Sequence, residues 1–342
     1  MPSLRQLPMS RLLLTLLSRS PDRQVGLRRA LGRTLVVLCY HDLREPDDVD
    51  SWLRVEAGQF REHLRVLHAC GTIVGTTSLW ADGDSRSGPR FLLTFDDGYP
   101  NWLRLGVPIL EEFGVPALFF ASTHHVLSGE PFWFDRIILP IQSGRVSRLD
   151  LTRFGLGTYR FSDGPPERRW EGIQRLLVDV KRVWTGRDLR PVLEHLASSA
   201  SLVWDRARPL SATELTAMAA RGGTCHIGSH AHRHEILTGA DPRTVLGDLA
   251  ESRQQLEELT GVGVYDLAYP NGNVDETVVA AARQAGFERG FTTEARSIRL
   301  PATALYRLPR LLVGGYDSAH RLGDRLGGIL LRALLRPGRG AS

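Results

Sequence analysis

Two adjacent aspartates, Asp96 and Asp97, followed by Gly98 and Tyr99, are the first residues in this chain whose types could do chemistry. Two histidines with three residues between them, His230 and His234, are the second. Neighbouring carboxylates repel each other and are costly beside an apolar core unless a cation meets them. One carboxylate and two imidazoles suit a divalent metal and leave positions open for water and substrate, while the second carboxylate is free to act as a base. The histidine spacing puts both imidazoles on one face if the segment turns helically. An Asp-Gly turn with Asp96 capping the following helix is the plainer alternative.

Both groups fall at the ends of expected strands. Phe91, Leu92, Leu93 and Phe95 read as a buried strand that Gly98 and Pro100 terminate. Thr224 to Ser229 reads as a second short strand leading to His230. Residues 34–44 form the first strand and end in Tyr40, His41 and Asp42. Carboxyl ends of core strands are where α/β folds assemble their sites. His41 stands at such an end, which suits a general acid, a common role of histidine, as well as a buried cap.

Thr-Phe-Asp-Asp-Gly followed by Gly-Ser-His-x3-His resembles the polysaccharide deacetylase family, the NodB homology domain, over roughly residues 34–315. The resemblance implies an α/β fold, a distorted (β/α) barrel, and metal-dependent removal of acetyl groups from N-acetylated sugars. It implies that Asp97, His230 and His234 hold a divalent metal, zinc being the expected ion, and that Asp96 is the general base. Many family members carry their acid in a late Leu-His-Asp motif that is missing here. The early Tyr-His pair is similar to the poly-N-acetylglucosamine deacetylase branch, which gives the acid role to His41.

Other departures matter. Ala268 stands where many members have the arginine that orients the catalytic aspartate, and Asn271 stands where they have tyrosine. Arg310, in the last strand, is the expected substitute, pairing with Asp96 across the barrel, with Arg307 as runner-up. A backbone N–H at Asn271, together with Tyr99, is expected on the oxyanion and substrate side. His226 shares the face of His230 by period-two alternation and is expected no nearer than behind the ligands; His232 is expected to point away. His63 is expected on a helix surface, and the match gives His124 and His125 no metal role.

The chain of 342 residues is 42 % hydrophobic and 24 % charged, as in ordinary globular proteins. Its net charge is +5, and Lys181 is its only lysine. No nucleic-acid motif accompanies the arginines, so no nucleic-acid partner is expected. Cys39, Cys70 and Cys225 suggest no disulfide framework. The expected organisation is a basic amphipathic arm over 1–33, a barrel over 34–315 and a C-terminal helix and tail over 316–342. A helical insertion is expected at 126–210, with a helix over Glu167–Trp184, a loop over 155–166 and a helix over Leu189–Ala200. Its aromatic run at 131–141 could wall a sugar groove or pack in the core.

The apolar run Leu12–Leu17 is too short to span a bilayer and is not followed by a convincing cleavage site. The expectation is therefore a cytoplasmic enzyme, with peripheral membrane contact through the arm as an option. The expected partner is an N-acetylated saccharide: polymer, oligomer or lipid-linked precursor. Two rivals are a metal-dependent amidohydrolase acting on a non-sugar amide, and a catalytically weak carbohydrate-binding barrel.

Overall fold

The structure, a computed structural model, describes residues 21–76, 88–184, 191, 194–195 and 208–335. Seven parallel strands make its centre: β1 (Thr34–Tyr40), β2 (Arg90–Phe95), β3 (Ala117–Ala121), β4 (Cys225–Ser229), β5 (Asp266–Ala268), β6 (Arg289–Phe291) and β7 (Arg310–Leu312). The pairing runs β6-β5-β4-β3-β2-β1-β7. A parallel bridge from Phe291 to Leu308, just before β7, nearly closes the ring. This is the distorted (β/α) barrel that the sequence implied.

The strands are apolar on both faces, as strands covered on both sides must be. Outward residues such as Val36, Leu38, Phe91, Leu93 and Phe119 join the main core beneath the helices. Inward residues, among them Leu35, Val37, Leu92, Phe120 and Phe291, fill the barrel. Because successive side chains alternate, the inward set continues upward to Cys39 on β1, His41 just beyond it, Asp96 beyond β2 and His230 beyond β4. Arg310 pairs in register with Val37 and so also faces inward. The two-residue period alone delivers these groups to one end of the barrel.

The helices are α1 (Pro21–Leu31), α2 (Ala57–Cys70), α3 (Val107–Phe113), α4 (Thr123–Ser128) and α5 (Trp133–Gln142). They continue as α6 (Pro166–Trp184), α7 (Ala212–Ala219), α8 (Pro242–Thr260), α9 (Glu276–Gln284) and α10 (Ala319–Leu335). Ser211 and Glu214 form a reciprocal capping box on α7. Asp241 and Asp275 cap α8 and α9, and Gly261 ends α8 with φ 69°. The helix expected after the aspartates opens instead with a π turn, Trp102–Gly106, whose closing bond runs from the Val107 N–H to the Trp102 carbonyl. Pro108 then falls in the first turn of α3, where a missing N–H is tolerated.

Some expectations change. The stretch read as a loop over 155–166 contains a strand, Thr158–Arg160, pairing antiparallel with Arg148–Asp150, so the insertion is not purely helical. His63 is fully buried, with Nδ1 3.3 Å from the Tyr40 hydroxyl and Nε2 2.6 Å from the Asp317 carbonyl. His320 lies in the first turn of α10, 3.2 Å from Asp324. The helix expected over Leu189–Ala200, most of the arm and the end of the tail lie outside the described residues. Among the described residues, no helix is long and apolar enough to cross a membrane.

Candidate active site

The end of β2 sets the first half of the site. The Asp96 N–H still donates to the Tyr40 carbonyl at 2.9 Å, keeping Asp96 in the ladder. Asp97 then turns out of it at φ 83°. A non-glycine residue in that region costs about 1–3 kcal/mol and persists only where its surroundings hold it. Asp97, Ala231, His234 and Asn271 are the non-glycine residues with positive φ among those described. All four belong to segments at the carboxyl ends of β2, β4 and β5, so the strain collects at one mouth.

There Asp97 Oδ1 lies 3.4 Å from His230 Nε2 and 3.1 Å from His234 Nε2. The two imidazole rings are 4.8 Å apart at 71°. The segment from His230 to His234 is not helical, contrary to the simplest reading of its spacing. Left-handed backbone at Ala231 (φ 62°) and His234 (φ 57°) folds it back instead. His230 donates its Nδ1–H to the Ala268 carbonyl at 2.8 Å, which fixes the ring with Nε2 turned towards Asp97.

Asp97 Oδ2 is buried and makes no hydrogen bond. A buried carboxylate oxygen in that condition is expensive, and with two converging imidazole nitrogens it fits a divalent cation held by three protein ligands. Burial pushes the Asp97 carboxyl up, but hydrogen bonds from His230 and His234 outweigh it and hold the group well below the usual carboxylate range. Asp97, His230 and His234 together form an Asp/His set whose ligand atoms lie within 4.8 Å of one another.

Asp96 is held quite differently. Arg310 Nη1 donates to Asp96 Oδ1 at 2.6 Å and Nη2 to Oδ2 at 2.7 Å, both side chains being buried. Arg310 is braced by the Thr292 carbonyl at 3.0 Å and the Thr94 hydroxyl at 3.2 Å, and lies 5.4 Å over the Phe120 ring. The Cys39 thiol donates to Asp96 Oδ2 at 3.3 Å. Burial raises the Asp96 pKa, but the Arg310 charge and then His230 bring it below the ordinary value. The carboxylate is ionised and fixed.

His41 closes the other side. A ring nitrogen of His41, an oxygen of Asp96 and the Cys39 sulfur lie within 4.8 Å of one another. That trio could itself take a cation, but the Arg310 guanidinium already engages both Asp96 oxygens and fills that role. Trp102 Nε1 donates to the His41 carbonyl at 2.6 Å. The Trp52 ring sits 6.1 Å from the His41 ring and stacks on Trp170 of α6 at 6.0 Å and 11°. Sequence reasoning missed this aromatic wall, since nothing local links Trp52 to Trp170.

The remaining expected residues fall as follows. Tyr99 is buried with its hydroxyl donated to Asp135 at 2.8 Å, so its ring sits in the wall and not in an open groove. Asn271 has φ 59°; its side-chain oxygen accepts from Lys181 Nζ at 2.6 Å. Gly272 follows, where a Cβ would come within 2.2 Å of Thr293 Oγ1. Arg307 pairs with exposed Glu276 at 2.8 Å, away from Asp96. His226 faces inward as expected but lies four residues down β4 from His230, about 13 Å away at ~3.3 Å per residue. His232 points outward, its Nδ1 2.8 Å from Thr123 Oγ1. His125 donates to the Glu130 carbonyl at 2.8 Å and belongs to no ligand set.

Comparison with known proteins agrees with this geometry. The sequence profile described as polysaccharide deacetylase matches residues 83–153 and 191–290. No protein of curated function matches the chain. Among solved structures, IcaB from Ammonifex degensii is similar with TM-score 0.55 and 20 % identity, over 87 % of this chain and 97 % of that one. The Streptococcus pyogenes deacetylase PplD, solved with acetate, is similar with TM-score 0.54 and 16 % identity, over 84 % and 96 %. A de-N-acetylase from Aggregatibacter actinomycetemcomitans has TM-score 0.52 and 13 % identity, over 85 % and 99 %. At these identities the likeness is one of fold.

Proposed function

The chain belongs to the polysaccharide deacetylase family and is an enzyme acting on acetylated sugars, and we propose that it is a divalent-metal hydrolase. It removes acetyl from N-acetylglucosamine-containing saccharide, and releases acetate. The observation that carries this reading is the meeting of Asp97 Oδ1 with the Nε2 atoms of His230 and His234, beside an aspartate clamped by Arg310.

Asp97, His230 and His234 are the ligands in this reading, and zinc suits their nitrogen and oxygen atoms. When bound, the ion supplies Lewis acidity towards water and the acetamide carbonyl. Asp96, ionised and held rigid by Arg310, accepts the proton of the attacking water. His41, on the opposite side, gives a proton to the sugar nitrogen as the C–N bond breaks. The backbone N–H at Asn271 is the donor this reading assigns to the developing oxyanion. Trp52, half-buried beside His41 and backed by buried Trp170, supplies the flank on which a pyranose ring can stack. The early Tyr-His pair, shared in type with the poly-N-acetylglucosamine deacetylases, favours that branch, and an oligosaccharide, polymer or lipid-linked precursor satisfies the same chemistry.

The test is acetate release by the purified chain from short N-acetylglucosamine oligomers and from simple acetamides, with and without chelator. Chelator-sensitive release confined to the sugars is expected. Equal turnover of non-sugar amides would move the reading to a general amidohydrolase.

A further inference from the structure

The two imidazoles opposite Asp97 are kept in place by unlike means. His230 is fixed by a hydrogen bond from Nδ1 to the Ala268 carbonyl at 2.8 Å. His234 Nδ1 is buried and makes no hydrogen bond. Metal-binding histidines ordinarily have such a partner, which sets the tautomer and the ring orientation. Without one, no polar contact on that side distinguishes the orientation that aims Nε2 at Asp97 from its flipped alternative. Packing must do it.

The packing comes from the insertion. The Phe132 ring meets His234 at 5.2 Å and 72°, and Phe134 meets it at 5.4 Å and 52°. Phe132 is fully buried and wedged in turn by His125 at 4.0 Å and Tyr99 at 5.9 Å. Phe134 stacks on Phe132 at 5.2 Å and 20°. Phe132 is the N-cap of α5 and Phe134 lies in its first turn, so the start of one helix of the insertion supplies both rings.

Resting on the reading that Asp97, His230 and His234 hold the ion, we infer that Phe132 and Phe134 are positioning residues for the metal. They clamp His234 in its ligating orientation, so the insertion completes a centre whose ligands all come from the barrel. Rings at these separations have defined preferred geometries, and close packing leaves an enclosed imidazole few alternatives. A leucine or methionine in either place fills volume but offers no flat face.

The test is a visible-absorption titration of the metal-free full chain with cobalt(II). Wild type should take one equivalent. Phe132→Met and Phe134→Leu should each bind cobalt about tenfold or more weakly, the range typical of outer-shell changes, and alter its d–d bands. Phe134→Tyr, which keeps the ring, should bind as wild type does. Phe119→Leu is the control: Phe119 is buried on the outer face of β3 against Phe95 at 5.0 Å, and its loss should lower thermal stability with cobalt affinity unchanged. Wild-type affinity in both Phe132→Met and Phe134→Leu, or an equal loss in Phe119→Leu, would overturn the inference. A wild-type chain that takes no cobalt would instead reject the ligand assignment on which it rests.

Discussion

Arg310 and Asp96 lie 214 residues apart in sequence and are joined by two parallel hydrogen bonds of 2.6 and 2.7 Å. The guanidinium comes from β7, the last strand of the barrel, where Arg310 faces inward in register with Val37. Arg310→Lys keeps the charge and loses the fork, which is not a conservative change at a two-point contact. We expect kcat to fall by about 100-fold or more, with metal content unchanged, because the clamp acts on the base and not on the ligands. Arg310→Met should in addition cost about 3–5 kcal/mol of stability, since it strands a buried carboxylate. Thermal melts and metal analysis alongside kinetics separate the two effects.

The acid role of His41 predicts a dependence on the leaving amine. His41→Ala should lower kcat on N-acetylglucosamine oligomers by about 10²–10⁴-fold, the usual span for a lost general acid. On an acetanilide whose amine departs without a proton, the same variant should lose far less. Equal losses on both substrates would remove His41 from the protonation step.

Asp135 carries a pH signature. Burial pushes its carboxyl up to about 8, with the Tyr99 hydroxyl pulling the other way. The folded protein thus holds a proton that the unfolded chain releases near ~4. This contribution to stability is complete below that value and is lost as pH rises towards 8, by at most about 1.4 kcal/mol per pH unit. His125 has the opposite sign: burial pushes it down to about 4, so its contribution is lost as pH falls from 6.5. Above pH ~6.5 His125 is neutral in both states; His230, lowered by burial but raised more by Asp96 and then Asp97, loses stability there with the same sign as Asp135, so the Asp135 share is the difference between wild type and variant. Asp135→Asn keeps an acceptor for Tyr99 and should flatten the stability of the metal-free protein between pH 6.5 and 8, as measured by urea titrations. An unchanged slope would contradict it.

Much of this site was legible because strand ends announce themselves. The runs before Asp96 and His41 are apolar and stop at groups that chemistry uses, the short strand Thr224–Ser229 stops likewise at His230, and the two-residue period sets their direction. The Arg310 partner was legible from cost, since a buried guanidinium requires an anion. What the sequence hid was non-local or backbone-dependent. The imidazoles of His230 and His234 meet through left-handed residues, not through a helical turn, and no propensity marks an alanine such as Ala231 for that conformation. His63 reads as a surface residue of α2 because the carbonyl that holds it, Asp317, is 254 residues away. The aromatic run of the insertion could be read as a sugar platform or as core, yet Phe132 and Phe134 pack against His234, while Trp52 and Trp170 stand beside His41.

Metal stoichiometry, measured on the same samples as acetate release, tests the central claim most directly. Chelated wild-type protein should release no acetate, then recover on taking up one equivalent of zinc. Asp97→Ala and His234→Ala should lose the ion and the activity together. Full acetate release from the metal-free protein, or one firmly bound equivalent in either variant, would contradict the account.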